Sequence, residues 1–301
     1  MDRVLITGCG GMSGKAFYNK FSKDSTVKAT DININEHWLS YLDVRDLEEY
    51  MIEADKFKPN VIIHLAALTD LEYCEENQEN AYLTNVIGAE NSVIVAKELQ
   101  AKLVYISTAG IFDGEKEEYD DWDTPNPLNV YGRSKYLGEK YVVDNYDKYY
   151  VCRAGWMMGG GESKDKKFVK KIIEQINNGK KELYVVDDKL GTPTYTKDFA
   201  NNIYELIKTN YFGVYNMVCE GDGSRFDVAK EILEVLNLTN EIKLTKVDSN
   251  YFKNEYFAQR PSSEKLINKK LMLRNLNRMG NWKQGLYDYL KNDYYDYVKT
   301  K

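Results

Sequence analysis

Three residues whose types suit proton transfer to a carbonyl oxygen stand in the middle of the chain. Thr108 closes an apolar segment, and Tyr131 and Lys135 follow it. Residues four apart share a helix face, so the side chains of Tyr131 and Lys135 are expected to point the same way. A tyrosine pKa is normally near ~10, and a nearby ammonium lowers it. The pattern predicts ketone reduction, with Tyr131 as the acid, Lys135 tuning it and Thr108 orienting the carbonyl.

A ketone reduction also needs a hydride, and a glycine-rich segment near the start of the chain predicts a nicotinamide dinucleotide site. Gly8, Gly11 and Gly14 follow an apolar segment and open a predicted helix that begins near Met12. Gly8 would allow a tight turn, Gly11 would let the backbone approach a pyrophosphate, and Gly14 would allow close packing of the helix. The helix N-terminus would offer free N–H groups to the phosphates. We count Met12 among the cofactor-binding residues.

Acidic residues beyond this turn bear on which cofactor binds. Asp31 ends the second predicted strand, where a carboxylate can accept hydrogen bonds from the adenosine ribose and would repel a 2′-phosphate. It favours NADH over NADPH, although an aspartate there can also be a simple turn residue. Asp43 is expected to cap the next helix, to contact adenine, or both, and Val44 follows it as a further cofactor-binding residue.

Alternating strand and helix patterns place these residues in one fold class. The predicted strands of the first half are Arg3–Thr7, Thr26–Asp31, Val61–Ala67, Lys102–Ser107 and Tyr149–Arg153. The helices predicted between and after them include Glu79–Leu99, Tyr131–Tyr146 and Trp282–Tyr297. The pattern predicts an α/β fold with a doubly wound parallel (Rossmann) sheet and a smaller C-terminal α/β substrate lobe. The expected limits are 1–154, joined by about 192–218, for the dinucleotide-binding domain, and 155–191 with 219–301 for the lobe.

Composition narrows the functional classes. The chain has 301 residues, 43% of them hydrophobic and 29% charged, and a net charge of −6, which argues against nucleic acid or an anionic membrane as a partner. Four scattered cysteines and two histidines predict neither a metal site nor a Ser-His-Asp hydrolase. The apolar stretches are strand-sized, and the chain runs directly into a strand without a signal peptide. We therefore expect a cytoplasmic protein.

Several motifs together resemble the extended short-chain dehydrogenase/reductases over nearly the whole chain. TGCGGMSG is similar to the family's cofactor turn, HLAAL (His64–Leu68) to its fourth strand, and YGRSKYLGE (Tyr131–Glu139) to its active-site helix. The resemblance implies that NADH or NADPH binds, and that Ala66 and Ala67 pass beside the adenine ribose. It also implies that Tyr131 and Lys135 contact the cofactor.

Other segments resemble one branch of that family, the dTDP-4-dehydrorhamnose reductases. They are YISTAGIFDG (Tyr105–Gly114), CRAGWMMG (Cys152–Gly159) and AQRPSSEKL (Ala258–Leu266). The resemblance implies a nucleotide-sugar substrate contacted by Thr108 and Trp156, with Arg260 at the diphosphate. The implied reaction reduces the 4-keto group of a nucleotide-linked 6-deoxyhexulose, such as dTDP-4-dehydro-L-rhamnose to dTDP-L-rhamnose.

One departure from that branch concerns the exact sugar. The branch usually carries an acidic and an aromatic residue after its catalytic threonine, where this chain has Ala109 and Gly110. The related 4,6-dehydratases need an acid pair there, so a dehydratase is disfavoured. A nucleotide-sugar 4-epimerase stays open, because it uses the same tyrosine and lysine. A non-catalytic NAD(P)-binding regulatory subunit, like that of methionine adenosyltransferase, also stays open, as does a homodimer.

Overall fold

The structure, a computed structural model, describes residues 1–294, and its strands and helices alternate regularly through the first half. The strands are β1 Arg3–Thr7, β2 Thr26–Asp31, β3 Leu39–Tyr41, β4 Val61–His64, β5 Lys102–Thr108, β6 Tyr149–Ala154, β7 Trp156–Met158, β8 Glu182–Val186, β9 Leu190–Gly191, β10 Pro193–Tyr195, β11 Gly213–Asn216, β12 Gly223–Ser224, β13 Lys243–Val247 and β14 Ser263–Glu264. The helices are α1 Gly14–Phe21, α2 Leu47–Phe57, α3 Leu71–Glu76, α4 Gln78–Tyr82, α5 Gly88–Leu99, α6 Val130–Asn145, α7 Gly161–Lys164, α8 Phe168–Asn177, α9 Thr196–Ile207, α10 Arg225–Val235, α11 Lys269–Leu273 and α12 Trp282–Asp293.

The main sheet has seven strands in the order β11-β6-β5-β4-β1-β2-β3. Every neighbouring pair in it is parallel. The strand order turns back between β1 and β4, so the carboxyl ends of these two strands border a cleft of the kind that binds dinucleotides. The predicted doubly wound Rossmann sheet is therefore confirmed.

Both faces of this sheet are covered, as the apolar strands require. Val4 and Ile6 of β1 face a core that continues into the second half of the chain and includes Leu286 of α12. Leu5, between them, faces a second core formed with α2, α5 and α6. The first core joins the two halves of the chain, because the same apolar cluster covers the sheet and the inner face of α12.

The start of α2 corrects one expectation from the sequence. The cap is Asp46, whose carboxylate accepts a hydrogen bond from the Glu49 amide at 2.9 Å. Asp43 lies too early in the chain to cap this helix, and its carboxylate is held by Arg45 instead. The predicted strand Val61–Ala67 also ends early, at His64, where the chain leaves the sheet as a loop.

The predicted helix Glu79–Leu99 is present but is not regular throughout. Its middle, Leu83–Ile87, forms a π-helical segment between α4 and α5. Such segments often occur at functional sites, because one extra residue redirects the side chains around it. Here the segment contains Asn85, which faces α6.

The second half forms three small sheets around the helices α8, α10 and α12. Strand β7 pairs with β10, β8 with β13, and β9 with both β12 and β14. Strand β11 belongs to the main sheet, beside β6. The predicted limits of the two domains remain a prediction. The end of the predicted helix Trp282–Tyr297 lies outside the described residues.

Candidate active site

The glycine-rich turn between β1 and α1 leaves its outer side open. Gly8 has a φ of +70°, and a Cβ there would lie 2.3 Å from the backbone nitrogen of Ala66. A Cβ on Gly14 would lie 1.6 Å from the carbonyl oxygen of Cys9, so α1 packs directly on the turn. Gly11 is exposed, and a Cβ there would meet only the Gly8 carbonyl, at 3.5 Å. The turn fits a dinucleotide pyrophosphate, which must approach backbone N–H groups closely.

The Asp31 carboxylate lies beside the same turn. It accepts hydrogen bonds from the Gly10 amide at 2.9 Å and from the Asn33 amide at 2.8 Å. Asn35 donates to the Gly10 carbonyl at 3.0 Å and so ties the segment after β2 to the turn. A carboxylate has about four acceptor positions, so two amide donors leave capacity for ribose hydroxyls. The position therefore fits the adenosine end of a dinucleotide.

Ala66 and Ala67 lie in the half-buried loop after β4, next to the turn. Asn85 holds this loop, because its side-chain oxygen accepts from the Leu68 amide at 2.8 Å. The side-chain nitrogen of Asn85 donates to Ser134 of α6 at 2.9 Å. The π-helical segment thus joins the loop containing Ala66 and Ala67 to the helix that carries Tyr131 and Lys135.

Asp43 and Val44 are engaged elsewhere. The Asp43 carboxylate forms an ion pair with Arg45 at 2.6 Å, and this hydrogen-bonded partner lowers the pKa of Asp43. Val44 is 5% exposed and its side chain packs against Gly88 in the core behind the sheet. Contact of these two residues with adenine remains a prediction.

A segment of the second half lies across the glycine-rich turn; we call residues 159–165 the strap. A Cβ on Gly160 would lie 3.0 Å from Cγ of Met12 and 3.1 Å from its Cα, so the strap touches the turn directly. Lys164 in the strap forms an ion pair with Glu36 at 2.9 Å, beyond the end of β2. Met12 is therefore half-buried and in contact with the strap.

Tyr131, the predicted proton donor, and Thr108 border one space. The Thr108 hydroxyl accepts a hydrogen bond from the Gly110 amide at 3.1 Å. A Cβ on Gly110 would lie 3.5 Å from both Thr108 Oγ1 and Tyr131 Cε1. Burial raises the pKa of Tyr131 to about 12, and a hydrogen bond with Thr108 only partly opposes this. The lowered Tyr131 pKa expected from the sequence is not present in this structure.

Lys135 lies deeper in the molecule than Tyr131. It is 3% exposed, and its Nζ stands 4.2 Å from the centre of the Tyr105 ring. The Tyr105 hydroxyl donates to the Lys135 carbonyl oxygen at 3.1 Å. Burial lowers the pKa of Lys135 to about 7, although Glu139 opposes this shift. The aromatic face therefore stabilises an ammonium that is close to its titration point at neutral pH.

His64 is a core residue below the site. Its Nδ1 lies 2.7 Å from the Ser92 hydroxyl and 3.1 Å from the Thr7 hydroxyl. Burial lowers the pKa of His64 to about 3, so the ring is neutral at physiological pH. It lies in strand β4 as expected, and because it is buried it is not placed to donate a proton to a substrate.

Trp156 forms the opposite wall together with two charged residues. Its indole nitrogen donates to Oε2 of Glu264 at 2.7 Å. The guanidinium of Arg225 lies 3.6 Å from the centre of the Trp156 ring. Burial lowers the pKa of Arg225 to about 10, and Glu264 partly opposes this shift. The other carboxylate oxygen of Glu264, Oε1, borders the space beside Gly110, 3.5 Å from where a Cβ would stand.

Arg260 stands at the rim of the cleft and is paired. Both of its terminal nitrogens donate to the Glu72 carboxylate of α3, at 2.8 and 2.9 Å. The charge of Arg260 adds to the lowering of the Arg225 pKa, and the charge of Arg225 adds to the lowering of the pKa of Lys167, in the loop before α8. We call Lys167, Arg225 and Arg260 the basic cluster. Three cations close together repel one another, and binding of a diphosphate by this cluster remains a prediction.

The structure brings Thr108, Tyr131 and Trp156 around one cleft and puts the glycine-rich turn, Asp31 and Ala66 around another part of it. Sequence reasoning missed Glu264, Arg225 and Lys167. Glu264 could have been identified from the sequence, because it lies in the same motif as Arg260, AQRPSSEKL. Arg225 and Lys167 carry no local pattern that distinguishes them from surface cations.

Two findings concern other classes of site. No cluster of His, Cys, Asp and Glu side chains suited to a metal ion occurs within residues 1–294. Over the same part of the chain, the helices are too short or too polar to cross a membrane.

Comparison with known proteins agrees with this geometry. The family profile described as "RmlD substrate binding domain" matches residues 1–295. The dTDP-4-dehydrorhamnose reductase of Aggregatibacter actinomycetemcomitans is 30% identical over 258 residues, 80% of this chain and 85% of that protein. A solved dTDP-4-dehydrorhamnose reductase of Bacillus anthracis, in complex with NADP, is 32% identical with a TM-score of 0.88, covering 96% of this chain and 99% of that one.

A further relative has a different printed role. The methionine adenosyltransferase 2 subunit beta of Xenopus tropicalis is 29% identical over 242 residues, 78% of this chain and 72% of that protein. Reductases and a subunit of another enzyme therefore share this sequence pattern.

Proposed function

Because this chain belongs to the RmlD substrate binding domain family, we propose that it reduces the 4-keto group of a nucleotide-linked 6-deoxyhexulose with NADH or NADPH. The preferred substrate is dTDP-4-dehydro-L-rhamnose, and the product is dTDP-L-rhamnose. The observation that carries the proposal is the space shared by Thr108 and Tyr131, at the end of β5 and beside a turn that fits a dinucleotide.

Three residues of this chain have different roles in protonating the carbonyl oxygen. The nicotinamide cofactor supplies the hydride that forms the new C–H bond at the carbonyl carbon. Thr108 donates a hydrogen bond to the carbonyl oxygen and fixes its direction. Tyr131 transfers its hydroxyl proton to that oxygen, which completes the alcohol. Lys135, as an ammonium, would stabilise the phenolate that remains.

The rest of the substrate has matching groups in the second half. The basic cluster carries positive charge and suits the diphosphate of a nucleotide sugar. Arg225 covers the Trp156 ring and the Gly191 backbone packs against it, so the half-buried indole would contact the sugar or the base by its remaining edge. Arg260 would have to exchange its Glu72 partner for the diphosphate.

The cofactor choice rests on the surroundings of Asp31. Its carboxylate favours an unmodified ribose and hence NADH. Lys164, paired with Glu36 nearby, could turn toward a 2′-phosphate and so also admit NADPH. The Bacillus anthracis relative was solved with NADP. We propose that both cofactors bind, with NADH favoured.

The direct test is oxidation of NADH or NADPH, followed at 340 nm, with dTDP-4-dehydro-L-rhamnose generated enzymatically in the same reaction. We expect turnover by the chain and a loss of about 10²–10⁴-fold in kcat for Tyr131→Phe, because the proton donor is removed. Cofactor affinity of this variant should stay within a few-fold of the original.

Two outcomes would favour other functions. Interconversion of C4 stereoisomers without net cofactor oxidation would indicate a 4-epimerase. Cofactor binding without any turnover would indicate the regulatory role suggested by the methionine adenosyltransferase relative. The presence of Thr108, Tyr131 and Lys135 together supports the enzyme.

The setting of the enzyme is part of the proposal. The four cysteines are all free and buried, which suits a reducing cytoplasm. A homodimer remains a prediction, and light scattering on the purified chain would test it.

A further inference from the structure

Gly110 leaves a gap in the wall of the catalytic space, and three side chains border it. A Cβ at Gly110 would lie 3.5 Å from each of three atoms: Thr108 Oγ1, Tyr131 Cε1 and Glu264 Oε1. Oε1 of Glu264 is therefore at most twice that distance from the Thr108 hydroxyl. A carboxylate oxygen from the second half of the chain thus borders the same space as Thr108 and Tyr131, where the proposed function places the reacting carbonyl.

The position of this carboxylate is fixed by its neighbours. Oε2 accepts a hydrogen bond from the Trp156 indole at 2.7 Å, and Trp156 in turn stacks under Arg225 at 3.6 Å. Glu264 lies in β14, which pairs with β9. Burial raises the pKa of Tyr131 and Glu264 adds to this rise, as expected for a negative charge close by. Among the hydrogen bonds of residues 1–294, none uses Oε1.

We propose that Oε1 of Glu264 accepts a hydrogen bond from the sugar hydroxyl on C3, next to the C4 carbonyl, and so determines which keto sugars are reduced. The inference rests on the proposed function. If the carbonyl oxygen contacts Thr108 and Tyr131 at hydrogen-bond distance, a hydroxyl on the neighbouring carbon falls within reach of Oε1. In a 6-deoxy-4-hexulose the other neighbour of C4, C5, carries a methyl group and the ring oxygen, so C3 is the only neighbour of C4 that carries a hydroxyl.

The chemistry of a carboxylate makes this contact selective. It accepts hydrogen bonds and donates none, so a substrate without a donor at C3 leaves Oε1 desolvated and unpaired. Sites built to bind a hydroxyl discriminate strongly against the analogue that lacks it. Because Glu264 is only half-buried, we expect a moderate effect of about 10–100-fold.

Binding measurements test the inference apart from turnover. Calorimetry with NADH present would compare dTDP-L-rhamnose with its 3-deoxy analogue. We expect the chain to prefer the C3-hydroxyl form by about 10–100-fold, and Glu264→Ala to bind both within about 3-fold. Glu264→Gln keeps the side-chain volume and should retain part of the preference. Glu98→Ala, an exposed position on α5, is the matched control.

The outcomes separate the two proposals. An unchanged C3 preference in Glu264→Ala, or no preference in the original chain, overturns the role of Glu264. A preference that is lost in Glu264→Ala, reduced in Glu264→Gln and kept in Glu98→Ala supports it, even if no keto sugar is turned over, in which case the reductase proposal alone fails. With turnover, kcat/KM for the 3-hydroxy and 3-deoxy keto sugars should follow the same ratio.

Discussion

At the scale of single residues, the candidate proton donor and its lysine partner are buried in states that oppose their ionisation. Burial raises the pKa of Tyr131 to about 12 and lowers that of Lys135 to about 7. Both shifts favour the neutral forms, and the Glu139 charge and the Tyr105 ring both compensate the ammonium in part. Shifts of this size cluster at functional sites, because a buried charge is retained only where it has a use.

The first residue-scale prediction concerns Lys135→Met. Below pH 7 the lysine is charged in both the folded and the unfolded chain, so the full cost of its burial is present. Between pH 7 and 10.5 the folded chain loses the proton first, and this cost falls by about 1.4 kcal/mol per pH unit. We therefore expect the variant to be inactive yet more stable at pH 6, with a gap that narrows by pH 9.

Denaturant unfolding at pH 6 and pH 9 measures this gap. Lys140→Met, on the exposed face of the same helix, is the control and should show little dependence on pH. An equal gap for Lys135→Met at both pH values would contradict the buried ammonium.

At the scale of elements, helix α6 presents Tyr131 and Lys135, and three contacts fix it. Asn129 caps its first turn by accepting from the Gly132 amide at 2.7 Å. Ser134 is held by Asn85 of the π-helical segment. Near its end, Glu139 forms a buried ion pair with Arg153 of β6 at 2.6 Å. The orientation of the catalytic face is thus set along the whole helix.

The ion pair gives an element-scale prediction. Glu139→Ala would leave the Arg153 guanidinium buried without its carboxylate, so we expect a loss of about 3–5 kcal/mol in the free energy of unfolding. Replacing both residues, as Glu139→Leu with Arg153→Met, should recover most of that loss. Urea unfolding of the original protein, the single variant and the double variant tests this. A single variant within about 1 kcal/mol of the original would mean that water or the Asp121 carbonyl satisfies Arg153.

At the scale of the whole molecule, the second half supports the cofactor site of the first. The strap contacts Met12 through Gly160, and Gly161 beside it approaches Asp293 of α12. The Tyr289 hydroxyl contacts the Gly159 carbonyl oxygen at 2.8 Å and the buried Asp165 carboxylate at 2.9 Å. A hydroxyl far along the chain thus positions the segment that touches the glycine-rich turn at Met12.

Tyr289→Phe tests this connection. Removing the hydroxyl leaves Asp165 with fewer donors and frees the strap, so we expect the Kd for NADH to rise by about 3–10-fold. The rate at saturating cofactor should change little, because Tyr131 and Thr108 are untouched. Tyr287→Phe, an exposed position on the same helix, is the control. Fluorescence titration that gives the same Kd for Tyr289→Phe and the original chain would contradict the role of the strap.

The local sequence determined much of this protein. The strands β1 and β2 occur at their predicted limits, and α6 begins within one residue of its predicted start. These elements are readable because hydrophobic periodicity and glycine spacing act over neighbouring residues. The glycine-rich turn and the Tyr131–Lys135 spacing are local for the same reason. The two-residue strands β9, β12 and β14 escaped prediction because they are too short to show a period.

Tertiary structure alone decided how the site is completed. Glu264 meets Trp156 across 108 positions of the chain, and Arg260 meets Glu72 across 188. The pKa values of Tyr131 and Lys135 shift in the direction set by burial, which depends on the packing of both halves around them. Spacing along a helix can place two side chains on one face. It cannot specify which distant residue covers that face, because this depends on how the folded core brings separate segments together.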